Sequence, residues 1–251
     1  MFHIATPLYR YEYLERIYQS IPKHEDITWH IAKAKHRPPL TFDFLQDPRV
    51  KIYEIDCPDS DTVSKRNTIF DHITDGYFYL LDDDTIFLEE AYHVYNEYQQ
   101  QNFVGLIIGN QLLSLHSRLM NKAKKPTSDP TTTQTDTGMA ICHYSVLNYV
   151  RWAWSPANSR YDNDFFFWSR CFSYFGDEST LVVDKVFTVY NHFGPKIRVR
   201  KQLLGLKIHF DIYNIYAMQA YETIGKLRLI FQETFQLKRV INQKNKFPYR
   251  Q

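Results

Sequence analysis

The chain of 251 residues is 44% hydrophobic, 16% aromatic and 23% charged, a globular composition long enough to bury one substantial core. No apolar run approaches the roughly 18 to 20 residues of a membrane span and the N-terminus has no basic-then-apolar signal pattern, so a cytoplasmic protein is expected. Three widely spaced cysteines (Cys57, Cys142, Cys171) argue against a disulfide framework or zinc knuckle, and the net charge of +2 is uneven: residues 195–251 hold 12 Lys or Arg against three acids, leaving −7 for residues 1–194.

Phe2-His3-Ile4-Ala5 reads as a short strand stopped by Thr6-Pro7, and the spacing of Tyr11, Leu14, Ile17, Tyr18 and Ile21 predicts a helix that Pro22 ends. Ile27 to Ala32 and Val50 to Ile55 read as the second and third strands. A turn over Pro58 to Asp61 then leads into a helix from Ser64 to Ile73, closed by Asp75-Gly76. Tyr77-Phe78-Tyr79-Leu80-Leu81 is apolar on both faces, the pattern of a buried strand, and it ends abruptly in Asp82-Asp83-Asp84. Adjacent carboxylates at the end of a buried strand repel one another and lose hydration, and a divalent cation relieves both costs. Hard oxygen ligands suit Mg²⁺ or Mn²⁺; the other reading of the triplet is an acidic turn capping a helix. Leu88 to Gln101 follows as a helix and Phe103 to Ile108 as a buried strand. This alternation predicts an α/β fold with parallel pairing, whose ligand crevice lies beyond the carboxyl ends of the strands.

Asn121 to Thr137, with Lys122, Lys124, Lys125, Pro126, Pro130 and a Thr-rich run, has no apolar period and is expected to be a long loop, a lid over a site in preference to a disordered linker. Gly138 to Cys142 resumes regular structure. Tyr161 to Arg170 is acidic at its start, aromatic through its middle and basic at its end; the acids alone are what a helix dipole favours in a first turn. Val182 to Tyr190 is β-like and closes in Asn191-His192-Phe193-Gly194. Beyond Pro195 a basic segment contains a helix predicted from about Asp211 to Gln236, whose apolar face is expected to pack on the main domain and whose basic flanks can meet anionic lipid headgroups or an acidic acceptor. Neither a Gly-rich phosphate loop nor a nucleophile elbow is present, and no nucleic-acid partner is expected.

Four stretches, Ile4-Ala5-Thr6-Pro7-Leu8-Tyr9-Arg10, Ser64-Lys65-Arg66-Asn67, Asp82-Asp83-Asp84 and Asn163-Asp164 with Arg170, come in an order that resembles the inverting glycosyltransferases of the GT-A fold. The likeness is to the kind grouped in glycosyltransferase family 2, with some likeness to glucuronosyltransferases near the N-terminus. It spans residues 2 to about 194. It implies an α/β, Rossmann-like catalytic domain over residues 1–195, a mixed and mostly parallel sheet flanked by helices, and a basic, mainly helical extension over 196–251. It also implies transfer of a sugar from a nucleotide-diphosphate donor, a UDP-sugar first, to a hydroxyl of a glycan or lipid-linked glycan, with Mn²⁺ or Mg²⁺.

By this resemblance Asp84 is the direct metal ligand, Asp82 lies nearer the ribose or the metal's waters, and His192 completes the metal shell. Thr6, Pro7, Tyr9, Arg10, Asp56, Arg66, Asn67, Asp82 and Asp83 would hold the nucleotide. Asp164 would be the general base, with Asp162 second and Arg170 as its orienting partner. The chain departs from the family after its second strand, where Ala32-Lys33-Ala34-Lys35-His36 stands in place of the acid that contacts the base; Tyr9, Asp56 or Lys33 would take that role. The alternatives are a non-catalytic nucleotide-sugar or glycan-binding module and a haloacid-dehalogenase-like phosphatase. The phosphatase motif fits less well, since Ile86 stands where that motif has Thr or Val.

Overall fold

In the computed structural model, which describes residues 1–99, 104–114, 118–129, 133–154, 163–190, 199–203 and 206–210, the run from Tyr77 to Leu80 is a fully buried strand inside a sheet of nine strands among the described residues. In chain order the strands of this sheet are β1 (Phe2–Pro7), β2 (Ile27–Ala34), β3 (Val50–Ile55), β4 (Tyr77–Leu80), β5 (Ile86–Phe87), β6 (Leu106–Ser114), β7 (Arg118–Asn121), β8 (Ala140–His143) and β9 (Thr180–Val189). Helices α1 (Leu14–Ser20), α2 (Thr62–Asp71), α3 (Glu89–Tyr98) and α4 (Asn163–Phe175) connect them. The spatial order is β3-β2-β1-β4-β8-β6-β9-β5, with β7 paired to β6.

The half built from β3, β2, β1 and β4 is parallel throughout. Beyond β4 the sheet becomes mixed: β8 runs antiparallel to β4 and β6, β9 is parallel to β6, and β5 is antiparallel to β9. Thr6-Pro7 does not stop β1, because pairing with β2 continues through Pro7↔Ala32; a proline in the last position forfeits one N–H without breaking the ladder.

Alternation on β4 explains the layers. Tyr77 and Tyr79 point to one face, where they pack with Phe2, Ile4 and Trp29, with Leu14 and Ile17 of α1, and with Tyr92 and Tyr95 of α3. Phe78 and Leu80 point to the other, against Ile69 and Phe70 of α2 and Phe167 and Trp168 of α4. Burying each such aromatic contributes about 1.5–3 kcal/mol, and a strand apolar on both faces is stable only between two helical layers. Gly105 lets the end of α4 approach the sheet: a Cβ there would lie 2.0 Å from the Phe175 ring. No helix among the described residues is long and apolar enough to cross a membrane.

The backbone divides into a unit Met1–Gly194 and a unit Pro195–Gln251. In the second, β10 (Val199–Leu203) and β11 (Leu206–Phe210) form an antiparallel hairpin, in a stretch for which no element was predicted. Its sequence accounts for the hairpin, since Leu206, Ile208 and Phe210 alternate with Lys207 and His209 at a period of two. The helix predicted from about Asp211 lies outside the described residues.

Candidate active site

Because β1 and β4 are parallel neighbours, their carboxyl ends bring the Tyr9-Arg10 turn beside Asp82-Asp83-Asp84. Asp83, 2% exposed, accepts the backbone N–H groups of Tyr9 (2.5 Å) and Arg10 (2.6 Å) on Oδ2 and Arg10 Nε (2.9 Å) on Oδ1. Its carboxylate is therefore spent on holding the turn, a correction to its expected place among the nucleotide contacts. Arg10 also donates through Nη1 to Asp84. Burial opposes the Arg10 cation, but Asp83 and Asp84 outweigh that opposition and raise its pKa. Burial pushes the Asp84 carboxyl up to about 7 against the pull of Arg10, with Asp82 and Asp83 adding like charge.

Arg66 connects this triplet to α4. It sits on α2, a helix whose start is fixed by Asp61, which accepts the Ser64 N–H (3.0 Å) and the Ser64 hydroxyl (2.6 Å). Arg66 Nη2 donates to Asp82 Oδ1 (2.9 Å), and Nη1 lies 3.8 Å from Asp164 Oδ1. Its guanidinium lies 4.0 Å from the ring centre of the buried Trp152, which fixes the plane of the fork. Asp82 is more open than its neighbours, yet desolvation still raises its pKa, with Arg66 pulling the other way.

Asp164, in the first turn of α4, receives on Oδ2 the Thr137 hydroxyl (2.7 Å) and the Thr137 N–H (3.3 Å). Asp136 accepts that same N–H on Oδ1 (2.8 Å), which places its carboxyl beside that of Asp164. Burial, then Asp164 and Asp82, drives Asp136 far above the ordinary carboxylate range. Tyr190 is raised to about 12 by burial, with Asp136, Asp82, Asp84 and Asp164 adding to the shift. The result is a cluster of carboxyls facing the guanidiniums of Arg10 and Arg66.

The other predicted residues are placed elsewhere. Thr6 is fully buried and accepts from Trp29 Nε1 (2.9 Å), Pro7 is paired within β1, and Asn67 brackets the backbone of Trp152 with both halves of its amide at 2.9 Å. These three belong to the scaffold and not to a ligand surface. Tyr9 is 47% exposed, and Asp56 is exposed just past β3. Lys33 is buried and paired with Glu54 (2.7 Å), so it is not open to a base. Arg170 does not reach Asp164: six residues turn a helix by about 240°, and its Nη1 instead donates to the Arg151 carbonyl (3.4 Å). Arg66 takes the role expected of it. Asp162 and His192 lie outside the described residues.

Sequence reasoning missed Asp136, Thr137 and the stacking role of Trp152. The available signal was Gly138, whose φ of 82° turns the chain at the point where the Thr-rich loop enters β8. Among the described residues no three His, Cys, Asp or Glu side chains are arranged to enclose a metal ion. Asp82 and Asp84 instead offer two hard donors in a cluster that carries excess negative charge. That set fits Mg²⁺ or Mn²⁺ held by one or two carboxylates and completed by substrate phosphates.

No family model matches the sequence, and no curated protein does. Among solved structures, the chain is similar to S. aureus TarS 1-349, a glycosyltransferase, with a TM-score of 0.58 at 13% identity over 75% of this chain and 59% of that one. It is similar also to TarS 1-349 in complex with UDP (TM-score 0.55, 13% identity, 75% of this chain, 59% of that one). The complex with UDP-GlcNAc gives a TM-score of 0.57 at 12% identity over 75% of this chain and 57% of that one. The chain thus spans less than two thirds of the length of the solved chains it matches. What the likeness establishes is the fold: the chain has the Rossmann-like fold of glycosyltransferases, a mixed sheet flanked by helices.

Proposed function

We propose that the chain is a metal-dependent, inverting glycosyltransferase of the family 2 kind, moving a hexose from a UDP-sugar to a hydroxyl of a glycan or lipid-linked glycan in polysaccharide biosynthesis. The observation that carries this reading is the Arg66 bridge, which couples Asp82 at the end of β4 to Asp164 at the start of α4. One half of that arrangement suits a leaving diphosphate and the other a reacting hydroxyl. The UDP and UDP-GlcNAc complexes of TarS support the donor class.

Asp84, with Asp82, would hold Mn²⁺ or Mg²⁺; when bound, such an ion neutralises charge on the leaving diphosphate. Arg10 and Arg66 are the chain's own cations at that end. Asp164 takes the proton of the acceptor hydroxyl as general base, its carboxylate held by Thr137 and kept near the donor by Arg66. Asp136 accepts the same Thr137 N–H and so stands beside the proposed base. A single displacement by the acceptor oxygen, opposite the leaving group, inverts the anomeric centre. The basic segment 196–251 supports peripheral contact with the cytoplasmic face of a membrane, where lipid-linked acceptors are found.

The test is UDP release from a panel of UDP-sugars with and without Mn²⁺. Asp84→Ala is expected to lose metal-dependent UDP binding. Asp164→Asn is expected to keep it while transfer falls about 10²- to 10⁴-fold, the usual contribution of a general base. Transfer at the parental rate by Asp164→Asn overturns the assignment of the base.

A further inference from the structure

The surface that Arg170 does occupy has a composition of its own. Phe166, Arg170 and Tyr174 follow at intervals of four along α4 and so form one stripe. The segment before α4 contributes Tyr149, Arg151 and Trp154 to the same surface. Tyr149 and Tyr174 stack with ring centres 5.1 Å apart. Trp154, Phe166 and the two arginines line a cavity of about 140 Å³.

Three of the five large hydrophobic side chains that stand open among the described residues are here: Tyr149 at 69% exposure, Trp154 at 50% and Tyr174 at 42%. Among the described residues no carboxylate lies within ion-pair distance of Arg170. Among the described residues the Arg151 guanidinium pairs with the exposed Asp71 (2.9 Å), a pair that solvent weakens. Flat apolar rings interleaved with guanidiniums complement a sugar chain that bears anionic groups: the rings cover the apolar faces of the sugars, and the guanidiniums take carboxylate, sulfate or phosphate. Nucleic acid is less well matched, because its affinity comes from many phosphate contacts, whereas this stripe supplies two cations on a unit whose residues 1–194 carry −7. From Asp164 to Tyr174 the helix rises about 15 Å, the length of a short oligosaccharide.

We infer that this stripe binds an anionic oligosaccharide, the part of the acceptor beyond the reacting hydroxyl. The inference rests on the proposed glycosyl transfer, because α4 is the helix whose first turn holds Asp164.

Affinity electrophoresis of the full chain in native gels containing polygalacturonate, chondroitin sulfate or uncharged dextran tests it, with a single-stranded oligonucleotide as a separate probe. At least one anionic polysaccharide is expected to retard the parent. Trp154→Ala with Arg170→Gln should then lose affinity for it at least tenfold, while dextran retards neither protein. Arg170→Lys in the parent background should retain most of the binding. All the altered side chains are exposed, so the melting temperature and UDP affinity should match the parent's. Equal retardation of parent and double variant overturns the inference and assigns any binding to the basic segment 196–251. An equal loss of oligonucleotide affinity overturns it in favour of a general polyanion surface. Failure of the parent itself to bind UDP counts against the donor reading, independently of the stripe.

Discussion

Thr137 is the residue on which the orientation of Asp164 depends most directly, since one side chain and its own N–H converge on a single carboxylate oxygen. A hydrogen bond to a charged group contributes about 1.5–3 kcal/mol, and it has the greatest effect where the carboxylate must point at an incoming hydroxyl. Thr137→Val is therefore expected to lower kcat about 10- to 100-fold with the Kd for UDP unchanged, and Thr137→Ser to restore most of the loss. Steady-state kinetics beside UDP titrations check this; an unaltered kcat in the valine variant would remove Thr137 from the site. At this scale the sequence was legible where chemistry is dense. Three acids closing an apolar run have few structural excuses, and Arg66 and Asp164 stood in stretches whose order pointed to a site. Asp136 and Thr137 stayed hidden because nothing local in a Thr-rich loop says which helix it will meet. Arg170 was misassigned because a spacing of six places two residues on different sides of a helix.

Among the elements, α2 positions the most chemistry for its size. Its Arg66 faces Asp82, and its fully buried Lys65 donates to the Leu8 carbonyl (2.7 Å) and to the Asp59 carbonyl, tying the helix to the turn that carries Tyr9 and Arg10. Burial lowers the Lys65 pKa, while Asp59 pulls it back. The helix is anchored at its start by the Asp61 cap. Asp61→Ala is expected to cost about 1 kcal/mol, read as a fall in melting temperature of about 2–4 °C, and Asp61→Ser to recover much of it. A fall in Asp61→Ser as large as in Asp61→Ala would show that the cap is not what Asp61 contributes. Helices of this kind were legible from spacing and caps, as were β1 to β4 from their apolar runs. The two-residue β5 and the hairpin β10–β11 were not seen, the first because it is too short to show a period and the second because its alternation sits inside a basic segment. Of the predicted loop Asn121–Thr137, Asn121 is the last residue of β7 and residues 122–129 and 133–136 have no helix or strand, but the tie to α4 through Thr133 and Ser169 (2.7 Å) is a tertiary contact with no local signature.

For the whole molecule, α/β alternation announced the parallel half of the sheet, whereas the insertion of β8 antiparallel between β4 and β6 is a nonlocal pairing that no local pattern encodes. The parallel half also buries a polar chain: Tyr53 Oη lies 2.8 Å from His30 Nδ1, His30 Nε2 lies 3.0 Å from His3 Nδ1, and His3 Nε2 lies 3.0 Å from Asp75 Oδ1. Since Asp75 accepts, His3 carries its proton on Nε2; His30 must then donate from Nε2 and accept from Tyr53, so every member is satisfied with both imidazoles neutral. Burial pushes His30 down to about 3, with His3 adding like charge, and burial also lowers His3 although Asp75 pulls it up. An unfolded chain protonates these groups near the ordinary 6.5, so between that pH and about 3 the unfolded state holds a proton that folded His30 refuses. Stability is therefore full above about pH 6.5 and is lost as pH falls, at up to about 1.4 kcal/mol per unit for His30 alone. Gln in place of His30 can still donate to His3 and accept from Tyr53, but it has no proton to gain. Urea unfolding of parent and His30→Gln at pH 7.5, 6.5, 5.5 and 4.5 is expected to give the variant the shallower acid limb, with the curves diverging below about pH 6.5. Parallel curves over that window would mean that His30 is already solvated and titrating in the folded protein, and the buried chain across β1, β2 and β3 would have to be abandoned.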